Sequence, residues 1–319
     1  MKEQNPKRIL TIDGGGIKGV FPASFLACVE DTIGDKVSNY FDLIVGTSTG
    51  GIIALALGIG LSAQEILEFY EVLGVDVFKG NKFLNAIRQI GLSKYNQKSL
   101  KKALISKFKN HKLGDSKKRL VIPSVNLENG EIYIYKTAHH PRLQRDYKQK
   151  IVEVALATSA APSYFPTQVN SSGTPLVDGG LFANNPMGLA VVEAIGMLNW
   201  DKNLLRILSL GCTTEPLNIT QGRKYPLGLG YWGFKIVSVF MTAQSSVSLG
   251  TAQLIAGHEN VIRINPIMPR KRFGIDTIQE IKSLKGLGDS EARKALPKLR
   301  EAFFNNQKVE DFEPYCKLS

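Results

Sequence analysis

Hydrophobic and polar positions divide the 319-residue chain into short apolar runs and longer segments with apolar residues three or four positions apart. The short β-branched runs, most of them closed by glycine or aspartate, predict buried strands, and the longer periodic segments predict helices. Because the two kinds alternate, the pattern predicts an α/β fold with a mainly parallel central sheet flanked by helices. We expect one domain over residues 1–319, with a mostly helical portion at 225–319.

Two local signals fix element boundaries within this pattern. Ser62 and Glu65 have the spacing of a capping box, which predicts a helix start. Asn129-Gly130 separates two apolar runs and predicts a tight β-hairpin. The predicted strands are 8–13, 43–45, 119–126, 131–136, 176–178, 204–210 and 260–265, and the predicted helices include 20–33, 150–161, 186–198 and 231–255.

The segment 41–57 carries the first candidate chemistry. An apolar strand ends at Gly46, Ser48 follows within a Gly-x-Ser-x-Gly turn closed by Gly50, and a helix-forming run begins at once. Strand, turn and helix in this order form a nucleophile elbow, in which glycines leave room for a sharply turned serine. The sequence therefore predicts Ser48 as a nucleophile at the amino end of a helix.

A glycine cluster follows the first predicted strand directly after Asp13. The spacing of Gly14, Gly16 and Gly19 matches a dinucleotide-binding fingerprint, and Asp35 lies about where a ribose-binding acid would fall. The same glycines also suit an anion-binding loop, whose free backbone N–H groups would hold an oxyanion. The elbow thirty residues further on favours the oxyanion interpretation.

A serine nucleophile needs a base, and the sequence offers two kinds. None of the four histidines (111, 139, 140 and 258) lies in a motif that resembles a catalytic loop, and His139-His140 is expected in a solvated loop after the hairpin. A Ser–His–Asp triad nevertheless stays open, because its members need to meet only in space. Asp178 is the better placed partner, since it ends an apolar strand and is followed by Gly179-Gly180.

The charge of the chain is concentrated in one segment. Lys79 to Arg119 contains thirteen of the 40 lysines and arginines and one of the 28 acidic residues, so it carries the whole net charge of +12. A solvated helix, an anionic membrane surface and a phosphate-bearing ligand all fit such an excess. Long nucleic acid does not, because aromatic residues are sparse there and no nucleic-acid-binding motif accompanies the charge.

The remaining composition sets the expected compartment. No apolar run approaches the roughly 20 residues that span a bilayer, and the amino terminus lacks the features of a signal peptide. Three widely spaced cysteines match neither a disulfide framework nor a metal motif. We therefore expect a cytoplasmic protein that acts at the inner membrane surface.

Three motifs in this order, Asp13-Gly-Gly-Gly-Ile-Lys-Gly19, Gly46-Thr-Ser-Thr-Gly50 and Asp178-Gly-Gly180, resemble the signatures of the patatin-like phospholipase family. The resemblance covers roughly 8–211 and implies a three-layer patatin-like sandwich. It also implies a Ser48–Asp178 dyad that cleaves membrane phospholipids without a metal or cofactor. The oxyanion hole would be the backbone N–H groups of Gly14, Gly15, Gly16 and Thr49. Lys18 would either face a lipid phosphate or be a structural or solvated lysine.

The compact size also resembles the bacterial anti-phage phospholipases that cyclic oligonucleotides activate, the CBASS effectors. That resemblance implies a cyclic dinucleotide as activator, and the basic segment 79–119 is a candidate to receive it. A homo-oligomer is a further expectation. Two non-catalytic alternatives remain: a nucleotide-binding module built on Gly14, Gly16 and Gly19, and a membrane-binding protein that uses the apolar helix 231–255.

Overall fold

The computed structural model describes residues 5–78, 95, 97–216, 228–269, 280–305 and 307–318. Within these ranges a mixed sheet forms the centre of the molecule. Its strands are β1 (Lys7–Ile12), β2 (Leu43–Gly46), β3 (Arg119–Asn126), β4 (Ile132–Lys136), β5 (Gln168–Val169), β6 (Pro175–Asp178), β7 (Leu205–Leu210) and β8 (Val261–Ile264).

Helices cover both faces of this sheet. Those described are α1 (Val20–Ile33), α2 (Thr49–Gly58), α3 (Ala63–Phe78), α4 (Gln97–Phe108), α5 (Ile151–Thr158), α6 (Gly180–Ala183), α7 (Met187–Val192), α8 (Leu229–Ala256) and α9 (Ile281–Ala302). A π turn, Glu193–Met197, continues α7 without a break.

The sheet is parallel in its centre and antiparallel at one side. The strand order is β5-β6-β3-β2-β1-β7-β8, with β4 also paired to β3. The pairs β3–β2, β2–β1, β1–β7 and β7–β8 are parallel, whereas β4 and β6 run antiparallel to β3. The prediction of a mainly parallel α/β sheet is confirmed, but the predicted strand 176–178 joins the antiparallel side.

Alternate residues of the central strands feed two separate cores. On one face, Leu10 and Ile12 of β1 pack in the larger core with α1 to α5 and α9. On the other face, Ile9 packs in a smaller core with α7 and the end of α8. This alternation is the period-two pattern of a strand buried on both sides. It confirms the three-layer arrangement that the resemblance implied.

Most predicted elements appear within two or three residues of their predicted ends, and the hairpin and the capping box are present. The amide of Ser62 donates to Glu65 Oε2 at 2.8 Å, and the amide of Glu65 donates to Ser62 Oγ at 3.2 Å. The basic segment is described only at 95 and 97–119, where α4 buries Leu100 and Leu104; the rest of that prediction lies outside the described residues.

The expectation that His139 lies in a solvated loop is wrong. His139 is buried, its Nε2 lies 2.8 Å from Glu193 Oε1, and its Nδ1 lies 2.9 Å from Thr137 Oγ1. Glu193 is the first residue of the π turn and also accepts a hydrogen bond from Lys136 Nζ. The burial comes from this long-range partner, 54 residues away along the chain, which a local pattern does not reveal.

Helices α1 and α9 cross closely because α9 carries a glycine at the crossing. A Cβ atom on Gly288 would lie 2.6 Å from the carbonyl oxygen of Phe21 and 2.8 Å from Ser24 Cβ. Ser24 Oγ also donates to the Lys285 carbonyl oxygen at 2.8 Å, which fixes the crossing. Gly286, two residues earlier on α9, is exposed and has open space around it.

We predict opposite stability effects for two Gly→Ala changes on this helix. Gly286→Ala should raise the free energy of unfolding by about 0.5–1 kcal/mol, because alanine loses less backbone entropy in a helix. Gly288→Ala should lower it by about 1–3 kcal/mol, because the added methyl group overpacks the crossing. Urea unfolding of both variants measures the difference; equal stabilisation by the two changes would show that α1 and α9 do not approach this closely.

Candidate active site

Ser48 occupies the turn between β2 and α2 in a strained backbone conformation. Its φ of 55° and ψ of −120° lie in a region that L-residues rarely adopt. The turn is possible because its two glycines lack side chains: a Cβ on Gly46 would collide with the Gly50 carbonyl, and one on Gly50 would collide with the Ile12 carbonyl. Strain of this kind is found at functional sites, where the surrounding fold maintains it.

The Ser48 hydroxyl and the Asp178 carboxylate are bonded directly. Ser48 Oγ donates to Asp178 Oδ2 at 2.6 Å, the short distance of a hydrogen bond to a charged acceptor. The other carboxylate oxygen, Oδ1, accepts the amide of Gly180 at 2.7 Å. Both side chains are more than nine-tenths buried. The carboxylate is therefore held rigidly in place with one oxygen on the serine.

Asp178 reaches Ser48 because β3 is longer than β2. The first three residues of β3 pair with β2 up to Val45, and β3 then extends past the end of β2, where Ser124 pairs with Asp178 on the antiparallel strand β6. The carboxyl end of β6 thus meets the carboxyl end of β2 across this extension. Sequence reasoning predicted that Ser48 and Asp178 act together at the carboxyl ends of strands in a mainly parallel sheet, but it did not predict that the strand of Asp178 is antiparallel.

Burial also changes the acidity of this carboxyl group. It raises the pKa of Asp178 from 3.8 to about 6, against the opposing effects of the hydrogen bonds from Ser48 and from the Gly180 amide. The pKa is thereby closer to neutral than that of an ordinary aspartate, so the ionised carboxylate is a stronger base. The group is suited to accept the serine proton.

The glycine loop is anchored by a residue that sequence reasoning missed. Arg263 of β8 makes two hydrogen bonds to the Asp13 carboxylate, at 2.7 and 2.5 Å, and a third to Ser209 Oγ at 2.7 Å. Burial raises the pKa of Asp13, and the adjacent Arg263 opposes this rise. Asp13 is therefore a positioning residue that fixes the start of the loop, 250 residues away from its arginine.

The loop places its first glycine beside the nucleophile. A Cβ on Gly14 would lie 3.2 Å from Ser48 Cβ and would clash with Asn184 Oδ1. The Gly14 amide donates to the Asn184 carbonyl oxygen at 3.0 Å, so it binds an oxyanion only when this bond is broken. Within the described chain, the amides of Gly15 and Gly16 have no hydrogen-bond acceptor. The oxyanion hole remains a prediction, with Gly15 and Gly16 as its free donors.

Four other predicted residues lie close to the site. Thr49 is the first residue of α2, and its hydroxyl and carbonyl groups both contact the buried Tyr70 hydroxyl, at 2.5 and 2.8 Å. Gly19 lets the glycine loop pack on α2, because a Cβ there would collide with the Thr49 hydroxyl.

Lys18 is half-buried, and its Nζ lies 3.5 Å from the Thr213 carbonyl oxygen. Gly179 passes close to β3, where a Cβ would collide with the Pro123 carbonyl.

The backbone of Ser48 is held by a threonine that the sequence did not single out. The Ser48 amide donates to Thr158 Oγ1 at 3.0 Å, and Thr158 Oγ1 donates to the Pro123 carbonyl oxygen at 2.7 Å. Thr158 is the last residue of α5 and is fully buried. It ties the elbow to β3, and no local motif marks it.

No histidine contacts the candidate nucleophile. All four histidines lie in the described ranges, and none of their hydrogen bonds involves Ser48 or Asp178. Asp35, the candidate ribose-binding acid, instead contacts Lys36, Asn39 and Lys308 beyond the end of α1. The geometry thus favours the serine–carboxylate pair over the triad, and the oxyanion interpretation of the glycines over the dinucleotide fingerprint.

A strained serine bonded to a buried carboxylate, at the end of an α/β sheet and beside a glycine loop, is the arrangement of a serine acyl hydrolase. A patatin-like phospholipase family model matches residues 10–191, more than half of the chain. The chain belongs to the patatin-like phospholipase family.

Curated relatives extend over most of the sequence. A cGAMP-activated phospholipase of Pseudomonas aeruginosa is 35% identical over 241 residues, which cover 75% of this chain and 72% of the relative. A cGAMP-activated phospholipase of Vibrio cholerae is 32% identical over 97% of this chain and 95% of its own. Among solved structures, VipD from Legionella pneumophila covers 92% of this chain and 67% of its own with a TM-score of 0.50 and 14% identity, a likeness of fold alone.

We predict that Asp178→Asn inactivates the protein but makes it more stable. The raised pKa means that ionising this buried carboxyl costs roughly 3 kcal/mol of folding free energy above pH 6. An asparagine keeps an acceptor for Gly180 and carries no charge, so we expect the midpoint of thermal unfolding at pH 8 to rise by about 2–5 °C.

The pH dependence supplies the control for this variant. The pKa of Asp178 is raised in the folded state, so the free-energy cost of ionising it decreases as the pH drops through 6. Below the unfolded-state pKa near 4 the carboxyl group is protonated in both states, and the cost is absent. The difference between wild type and variant should shrink over that range. A variant that melts below wild type at pH 8 would mean that the carboxylate is a net stabilising group.

Proposed function

We propose that this protein is a serine lipid acyl hydrolase that cleaves fatty-acyl esters of membrane phospholipids. The observation that carries the proposal is the 2.6 Å hydrogen bond from Ser48 Oγ to Asp178 Oδ2. Family membership supports the reaction class. Two relatives at 32 and 35% identity are named as phospholipases, which supports the substrate class.

The reaction follows from the geometry in two halves. Ser48 Oγ attacks the ester carbonyl carbon as its proton passes to Asp178, and the glycine-loop amides stabilise the tetrahedral oxyanion. Collapse of this intermediate breaks the ester bond, and the lysophospholipid alcohol leaves with the proton from Asp178. Water then attacks the acyl-serine, again with Asp178 as base, and releases the fatty acid and regenerates the serine.

The substrate lies in a bilayer, so the protein has to work at a surface. Within the described ranges no helix is long and apolar enough to cross a membrane. The net charge of +12 on the whole chain favours the approach of the protein to an anionic leaflet. A peripheral association with the inner membrane surface, followed by hydrolysis, agrees with both observations.

The proposed hydrolase is activated by a cyclic dinucleotide. The support is that both relatives described above carry cGAMP activation in their names, and that one of them aligns with 97% of this chain. A phospholipase that attacks the membrane of its own cell needs such control, because constant activity would destroy that membrane. No cofactor takes part in the proposed chemistry.

We predict that cGAMP stimulates release of fatty acid from vesicles of mixed anionic and zwitterionic phospholipids, and that Ser48→Ala abolishes it. Loss of the nucleophile should reduce the rate by at least about 10⁴-fold, to the level without protein. Thr47→Ser, a neighbour whose hydroxyl bonds the Ala183 carbonyl, is the matched control and should retain activity. Release that survives Ser48→Ala would refute the serine mechanism.

We predict that the activity falls on the acidic side with an apparent pKa near 6. The base has to be ionised, and the pKa of Asp178 is raised to about 6, so kcat/KM should decrease about tenfold per pH unit below that value. Initial rates at saturating cGAMP between pH 4.5 and 8.5 measure the profile. A profile that stays flat down to pH 4.5 would assign the proton transfer to another group.

A further inference from the structure

A cavity lies at the opposite end of the sheet from Ser48. It has a volume of about 680 Å³ and is bordered by Arg119, the first residue of β3, and by Trp200, which precedes β7. The active site lies instead beyond the carboxyl end of β2. The cavity is closed on one side by the carboxyl-terminal tail, including Tyr315. Its volume is within the range of pockets that bind small molecules.

Aromatic rings lie close to cationic groups at this cavity and at its neighbour, which Lys7 lines. The Trp200 ring has Lys7 Nζ at 5.6 Å and the Arg119 guanidinium at 5.8 Å from its centroid. Tyr315 is 65% exposed, with the His140 ring 6.5 Å away. Trp200 is partly buried, whereas Tyr315 offers an exposed ring of the kind that stacks on nucleobases. A smaller cavity of about 420 Å³ continues past Trp200 to Lys7.

The guanidinium of Arg119 makes few hydrogen bonds within the described residues. It is half-buried between the rings of Trp200 and Phe312 and contacts the Asp42 carbonyl oxygen at 3.4 Å. Within the described residues its buried Nε has no hydrogen-bond acceptor. Phosphate oxygens are the acceptors that a guanidinium binds best.

Two carboxylates complete the lining. Asp311 and Glu313 lie on the tail and are exposed at the cavity. They would oppose an anion that touched them, but guanine presents two N–H donors on its pairing edge, and a carboxylate is a matching acceptor. Adenine offers a ring nitrogen acceptor in the same place. The cavity thus provides stacking surfaces, a phosphate donor and a guanine acceptor in separate positions.

We propose that this cavity binds the activating cyclic dinucleotide, a proposal that rests on the proposed function above. The phosphate groups bind at Arg119 and Lys7, the bases stack on Trp200 and Tyr315, and the tail carboxylates read the guanine. A lipid headgroup shares the phosphate but has no base to stack, so the aromatic lining favours the nucleotide.

The cavity is joined to the active site by residues 184–200, which are helical from Met187 to Met197. This segment begins at Asn184–Pro186, where Asn184 holds the Gly14 amide, runs through α7 and the π turn, and ends at Met197–Trp200 on the cavity wall. π turns occur often at functional sites. A ligand that shifts the π turn would act on the residue that occupies the Gly14 donor.

The proposal is tested by titration calorimetry of the full chain with cGAMP and with cyclic di-AMP. Arg119→Gln and Tyr315→Ala should each weaken cGAMP binding at least about tenfold. The pair Asp311→Asn with Glu313→Gln should reduce the preference for cGAMP over cyclic di-AMP. Arg293→Gln removes the same charge from the exposed surface of α9 and should bind as wild type.

A second measurement does not depend on the folding of variants. Photoreactive 8-azido-cGAMP should label peptides that contain Trp200 or Tyr315, and excess cGAMP should prevent the labelling. Wild-type affinity in both Arg119→Gln and Tyr315→Ala, or labelling confined to other peptides, would overturn the cavity assignment and leave the activation itself intact. Fatty acid release by a wild type that binds no cyclic dinucleotide would instead overturn the activator and the cavity, while the hydrolase mechanism stands.

Discussion

The hydrogen bond between Ser48 and Asp178 is the interaction on which the rest of the site depends. Its two residues are 130 positions apart and are both buried, so the bond exists only when the fold is complete. Burial makes the carboxylate a useful base because it raises the pKa to about 6, and the same burial makes the charge expensive. The apolar side chains buried in the two cores, which lie on either side of the central strands, offset this free-energy cost.

The sheet brings the pair together by a difference in strand length. β2 ends at Gly46 so that the elbow can turn, and β3 continues far enough to pair Ser124 with Asp178. Thr158 then links the Ser48 amide to the Pro123 carbonyl, so the strained serine is fixed to the strand that carries its partner. The extension of β3 beyond β2 therefore has two effects. It holds the strained backbone of Ser48, and it aligns Asp178 with the Ser48 hydroxyl.

The sequence predicted the parts of this site that depend on local pattern. The elbow at Ser48 and the aspartate that ends β6 carry their own glycines, and these mark backbone that comes close to other backbone. Arg263, Thr158 and the His139–Glu193 pair could not be predicted, because each depends on a contact between distant segments. The antiparallel direction of β6 was missed for the same reason, since strand direction is a property of the whole chain path.

In the structure Ser48 and Asp178 are already bonded to each other, whereas the amide of Gly14, one of the proposed oxyanion donors, is occupied. Ser48 already donates to Asp178, whereas the Gly14 amide donates to the Asn184 carbonyl oxygen. Because the proposed dyad is already bonded, the proposed activator does not need to bring its two residues together. The element left to move is Asn184, whose own amide is bonded to Gln244 of α8 and whose chain continues into α7. The proposed activation therefore acts more simply on the proposed oxyanion hole than on Ser48.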